Sequence, residues 1–227
     1  MRIRALALIC SFSVILSTVL AGCGGGGGGE GGGSAPPGAT SDTPPPTSSE
    51  DTSDATTRQT LQSTNLDVGP AGSSALGTLK RWNLLVPVKA NNEPRATQAM
   101  DMIEKRLGTT IFDRTSIANT PDDSITRGLI ISVGTGPQSS LCGTAETPDG
   151  ASAEMTGRLF IRIDSTGCTA SLDATIHQFG HTLGVFRHFQ NFGDPGNPTG
   201  ELFWRVLRTI YLNAIGTPGP NIVLAPQ

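Results

Sequence analysis

His177-Gln178-Phe179-Gly180-His181-Thr182-Leu183-Gly184-Val185-Phe186-Arg187-His188 is the stretch that decides the reading, and it gathers all three histidines of a 227-residue chain. On a helix, His177 and His181 stand four residues apart, one turn up the same face. Two imidazoles at that spacing can hold one zinc ion, which also needs a third ligand from another direction. Gly184 can leave the helix with a positive φ, which a residue bearing a Cβ adopts only at a cost. The chain then doubles back, and His188 can reach the metal from the loop. The plain alternative is a helix with incidental histidines, but clustering all three at ligand spacing speaks against it.

At these residues the sequence resembles the metzincin clan of zinc metallopeptidases, whose motif is His-Glu-x-x-His-x-x-Gly-x-x-His. His177, His181 and Gly184 match it. Gln178 stands where the family has its general-base glutamate. The position of the third histidine holds Arg187, whose guanidinium stays protonated and cannot ligate zinc. His188 comes one residue late and requires a one-residue bulge after Gly184. The pattern is also similar to bacterial zincin-like lipoproteins with a later histidine followed by Phe and Phe-Gly, which Phe189, Phe192 and Gly193 fit. No methionine follows His188, so the methionine turn of metzincins is absent. Glu201 lies about twenty residues beyond His181, a spacing that resembles the thermolysin-type pattern with a glutamate as third ligand. It is therefore the reserve ligand, its ordinary reading being a favourable charge in a helix's first turn.

In an intact zincin the metal lowers the pKa of a bound water to about 7, and the glutamate takes its proton. The Gln178 amide can hold a water by a hydrogen bond and cannot accept its proton. The resemblance therefore implies a zinc-binding metallopeptidase homologue that binds peptides and hydrolyses them poorly or not at all. Two other readings stand beside it. One is a surface binding module on a zincin scaffold. The other is an active peptidase that uses a different base, such as Glu201 or Asp194.

Outward from this stretch, the N-terminus reads as an export signal over residues 1–22. Arg2 and Arg4 precede a largely apolar run from Ala5 to Leu20. The sequence Leu20-Ala21-Gly22-Cys23 resembles the lipobox of bacterial lipoproteins, which implies cleavage before Cys23 and diacylglycerol on its sulfur. Without that processing the segment would be an ordinary secretory signal or an anchor helix, for which it is short. Gly24 after the cysteine, rather than Asp, implies the outer membrane, so the expected location is the bacterial cell envelope with the domain extracytoplasmic. Residues 23–75 are rich in Gly, Pro, Ser and Thr and read as a flexible tether that buries too little apolar surface to fold. The domain is expected over 76–227.

Within it, Trp82, Leu84, Val86 and Val88 alternate as in a strand, with Pro87 placing that strand at an edge or at its end. Pro94 suits a helix N-terminus, Ala96, Ala99, Met100, Ile103 and Leu107 its apolar stripe, and Gly108 its end. The Met100 and Met102 pair reads as packing. Thr109–Phe112 can be a short strand, and Leu129–Val133 a strand buried on both faces. Gly134 and Gly136 do not make a dinucleotide site, because Ser139 occupies the place of the third glycine and no helix pattern follows. Residues 138–157 read as loop-rich. Leu159, Ile161 and Ile163 alternate with Arg162 and Asp164 as a further strand. Ser171 can cap the motif helix, whose core stripe is Leu172, Ile176, Phe179 and Leu183. Leu202, Phe203, Val206, Leu207 and Ile210 mark a C-terminal helix.

Cys142 and Cys168 are an even pair in an exported domain, and a disulfide between them is expected, the alternative being two free buried thiols. Acidic residues outnumber basic ones, 19 to 16. With no basic run or aromatic-basic interleaving, nucleic acid is not an expected partner. The expected fold is α+β: a small twisted zincin-like sheet, a backing helix, a metal-binding helix and a C-terminal helix.

Overall fold

The computed structural model describes residues 50–133, 143–163, 171–193 and 199–227. Helix α1, Asp54–Leu61, continues into a five-residue π-helical turn, Gln62–Leu66. Strands β1 (Arg81–Trp82) and β2 (Val86–Lys89) come next, then helix α2 (Pro94–Leu107) and strands β3 (Phe112–Asp113) and β4 (Gly128–Val133). Strands β5 (Gly143–Ala145), β6 (Glu154–Met155) and β7 (Arg158–Ile163) precede helices α3 (Leu172–Thr182) and α4 (Glu201–Leu212). The fold is a mixture of helices and sheet, as expected. The main sheet has the order β3-β2-β4-β7-β5, parallel throughout except for β5, which runs antiparallel to β7. A second, two-stranded sheet pairs β1 with β6 in parallel.

The central strand forms because Leu129, Ile130 and Ile131 are all apolar, and all three are fully buried. That is the pattern of a parallel strand covered on both faces. β7 instead alternates, with Leu159, Ile161 and Ile163 buried and Arg158 and Arg162 exposed. α2 starts on Pro94 at its first turn and ends on Gly108 with φ +70°. Ala96, Ala99, Met100 and Ile103 are its buried face, so Met100 is packing as expected. Each large side chain buried there contributes roughly 1.5–3 kcal/mol. α2 packs on α3, which in turn lies along β7 and β5.

Two expectations are corrected. The run from Trp82 to Val88 is two strands, and Leu84 between them is 40 % exposed. β2 is also internal: Pro87 is tolerated because pairing with β4 begins only at Val88. The loop-rich stretch 138–157 also carries β5 and β6, not singled out in the sequence because they are too short to show an alternating pattern.

The largest correction concerns the tether. α1 and its π turn fall inside residues 23–75, yet they belong to a compact unit spanning Thr47–Gln227. Ser53 caps α1 by accepting from the Thr56 amide. Leu61 and Leu66 enter the core, and Thr57, Thr60, Thr64 and Asn65 are buried with them. The buried Thr64 hydroxyl is satisfied locally, donating to the Thr60 carbonyl at 2.8 Å. α1 packs on α4, where the buried Arg205 guanidinium binds the Thr52 carbonyl, Thr57 Oγ1 and the Asp54 carboxylate. The folded unit therefore begins well before Leu76.

Lys80 is completely buried. Its ammonium donates to the carbonyls of Asn65, Leu66, Ala75 and Thr78 at 3.3, 2.9, 2.7 and 3.1 Å. Burial pulls its pKa below the ordinary lysine value, partly opposed by Asp67. The expected export signal and lipidation residue Cys23, and the Cys142–Cys168 pair, lie outside the described residues. Among the described residues no helix is long and apolar enough to cross a membrane.

Candidate metal centre

α3 begins where Ser171 Oγ accepts from the Ala174 amide at 3.1 Å, with Asp173 in the first turn. Ile176, Phe179 and Leu183 are buried, which fixes the rotation of the helix. His177 and His181 then fall on the adjoining face. The helix ends in a Schellman-type closure: the Val185 amide donates to the Gly180 carbonyl at 3.0 Å across Gly184, whose φ is +116°. The Trp82 indole caps the same end by donating to the Thr182 carbonyl at 2.6 Å.

Gly184 is required for space as well as for φ. A Cβ there would lie 3.0 Å from the Lys80 carbonyl oxygen and 3.2 Å from Asn65 Nδ2. Asn65 donates to the carbonyls of Gly184 and Lys80, both at 2.8 Å, and accepts from the Lys80 amide at 2.9 Å. The Phe186 amide donates to the Thr64 carbonyl at 3.0 Å. The π turn thus holds the loop that carries His188 back toward α3.

The three histidines meet. His177 Nε2 lies 2.9 Å from His181 Nε2 and 3.0 Å from His188 Nε2, and the last two atoms are 3.0 Å apart. His181 Nδ1 is 2.9 Å from the Val185 carbonyl oxygen, so that nitrogen carries the proton and Nε2 presents a lone pair. Hydrogen bonds alone cannot satisfy this triangle, because a neutral Nε2 either donates one proton or accepts. A shared cation satisfies all three lone pairs together. Bonds of about 2.0–2.1 Å in a tetrahedral site separate the nitrogens by roughly 3.3–3.4 Å. A ring movement of a few tenths of an ångström reaches that spacing. Burial, reinforced by the neighbouring histidines, lowers the His177 pKa to about 3. Burial and His188 lower that of His181 to about 4, against the raising effect of the Val185 carbonyl. Both rings are neutral at physiological pH, the form that ligates metal.

The cluster could hold a metal ion, and among the described residues no carboxylate joins it. Glu201, the reserve ligand, is elsewhere. Its carboxylate pairs with Arg106 at 3.1 Å on the surface, and its place in the first turn of α4 is the ordinary one. The N-terminus of α4 is capped from a distance, the Glu201 and Leu202 amides donating to the Glu50 carboxylate at 2.6 and 3.1 Å. Arg187, at the family's ligand position, is exposed. Asp194 lies outside the described residues. Gln178 is buried one residue after His177, and its Cγ is 3.3 Å from where a Cβ on Gly143 of β5 would stand.

Two further residues shape the site. Phe192 is fully buried, with its ring centre 4.6, 5.1 and 6.0 Å from those of His177, His181 and His188. In sequence it was one element of a motif, with no sign of where its ring would go. Gly180 lies between the helical histidines, and a Cβ there would lie 2.7 Å from Phe203 and 2.9 Å from Phe192. A glycine inside a helical run signals close approach, and this was available in the sequence. Comparison with protein-family models, curated proteins and solved structures finds no match to this chain.

Proposed function

We propose that this protein is a lipid-anchored, extracytoplasmic zinc metallopeptidase homologue that binds peptides and hydrolyses them poorly. The observation that carries the reading is the convergence of three imidazole Nε2 atoms within 3.0 Å, two of them from successive turns of one helix. An all-imidazole donor set suits zinc, and three protein ligands leave a position for water or substrate. Bound there, zinc would supply Lewis-acid polarisation of a carbonyl and a more acidic water.

The chain's own residues limit that chemistry. Gln178 offers an amide that can orient a water and cannot take its proton. The loss of general base help is worth roughly 100- to 10,000-fold in rate. Peptide as partner is supported by β5, which ends the sheet beside α3 and runs antiparallel to its neighbour. A sheet edge can pair with an extended chain through backbone hydrogen bonds. Anchoring rests on the lipobox-like run ending at Cys23.

The test is metal analysis of the purified protein after growth in zinc-replete medium. Close to one zinc per chain is expected, lost in His177→Ala and in His181→Ala. A wild-type chain that binds no zinc sinks the reading. The glutamine also supports a second form of it, a purely binding module that keeps the fold as a scaffold. Restoring the carboxylate at Gln178 separates the two.

A further inference from the structure

We infer that Phe192 is the positioning residue of the histidine cluster, holding the three imidazoles converged and closing one side of the site so that it takes a four-coordinate ion. This deepens the metal reading and rests on it. Among the described residues Phe192 is the one aromatic ring in contact with all three histidines, and it meets each edge-on, at 68°, 64° and 76°. Such contacts are directional, because the positive edge of one ring seeks the negative face of another.

The ring is itself fixed. Phe203 stacks behind it at 4.7 Å and 2°. Gly180 lets both rings approach the backbone of α3, where any side chain would displace them. The turn between Phe189 and Phe192 is closed by two backbone hydrogen bonds, of 2.9 and 3.3 Å. The next residue, Gly193, has φ +97°, and a Cβ on it would stand 2.7 Å from the His188 ring. Phe192 and the close approach of His188 are thus set by the same few residues.

A fully buried apolar ring in contact with all three imidazoles offers no ligand atom and leaves that side of the triangle to carbon rather than water. A metal held by the three nitrogens can then gain ligands only from the other side. Tetrahedral ions such as Zn2+ and Co2+ accept this arrangement. Octahedral ions, which need three further oxygen ligands, are disfavoured.

The experiment uses the full chain as wild type, Phe192→Ala, Phe192→Leu and the control Ile103→Ala, which removes a fully buried side chain from α2. Three quantities are read: Zn2+ affinity by competition with a chromophoric chelator, the visible spectrum with Co2+, and thermal unfolding of the metal-free protein. Wild type should give the intense visible bands of four-coordinate Co2+. Phe192→Ala should weaken Zn2+ by about tenfold to a hundredfold, the range for residues that orient ligands. Its Co2+ bands should fall to the weak absorption of a higher coordination number. Ile103→Ala should lower stability and leave affinity and spectrum unchanged. If Phe192→Ala does not fold, Phe192→Leu carries both readouts, with the same direction and a smaller size. A folded Phe192 variant with wild-type affinity and spectrum overturns the inference, as does an equal change in Ile103→Ala. Failure of wild type to bind either ion overturns the metal reading itself, which is a distinct result.

Discussion

Replacing Asn65 with leucine should destabilise the protein by about 3 kcal/mol or more, although Asn65 lies in a polar stretch more than a hundred residues from the histidines. Leucine keeps nearly the same volume and removes every side-chain hydrogen bond. Three backbone groups then lose a buried partner: the Gly184 carbonyl, the Lys80 carbonyl and the Lys80 amide. Each buried group left unsatisfied costs roughly 1–3 kcal/mol, so about 3 kcal/mol is the lower end. For a protein of this size that is a fall in Tm of about 6–12 °C. Urea unfolding followed by the fluorescence of Trp82 and Trp204, both buried, should show a lower midpoint at unchanged slope. Ser63→Ala, an exposed neighbour on the same turn, should stay within about 0.5 kcal/mol of wild type. Zinc affinity should fall in Asn65→Leu as well, because the Gly184 turn that returns His188 is released. A loss below about 1 kcal/mol would refute the claim that this turn is held by the Asn65 amide.

Gln178→Glu adds the missing base at nearly constant volume, and zinc-dependent peptide hydrolysis should rise by roughly two to four orders of magnitude. No gain, with zinc bound, favours the scaffold form. His188→Ala should weaken zinc binding strongly while Glu201→Gln leaves it unchanged, since that carboxylate is engaged by Arg106. Greater damage from Glu201→Gln would overturn the ligand assignment. A chain trimmed to begin at Leu76 should fail to give a cooperative unfolding transition, because it lacks Leu61, Asn65 and Leu66 from the core. Cys23→Ser should release the protein from the membrane fraction, and a mutant processed and retained like wild type would count against the lipobox.

Strong periodicity made much of the fold legible. Pro94, Gly108 and the stripe between them marked α2, and Ser171 with Ile176 and Phe179 marked α3. The unbroken run at Leu129 announced a strand covered on both faces. The histidine triad was legible because its spacing encodes a direction, and Gly184 encodes the turn that brings in the third member. α1 and its π turn were not, because their buried face is made largely of threonine and asparagine. Those side chains find hydrogen-bond partners inside the fold, some of them remote in sequence as for Asn65 and Gly184, and composition alone reads them as solvent-facing. Strand order was also beyond reach, since β5 and β6 are two or three residues long and draw their pairing from neighbours. Phe192 was visible as a letter and not as a wall, because its place depends on the stacking of Phe203, a contact between two separate elements.

Lys80 bears on what would follow if a metal were removed from the histidine cluster. Four carbonyls from two turns converge on its ammonium, much as they would around a bound alkali ion. That cation is covalently part of the chain, so a chelating agent cannot extract it. The loops it gathers include the π turn whose Asn65 grips Gly184. Stripping a metal from the histidines should therefore leave their scaffold assembled, so that it could be reloaded without refolding. The chain thus carries one positive centre of its own for architecture, and a metal on the histidines would add a second that alone answered to the metal content of its surroundings.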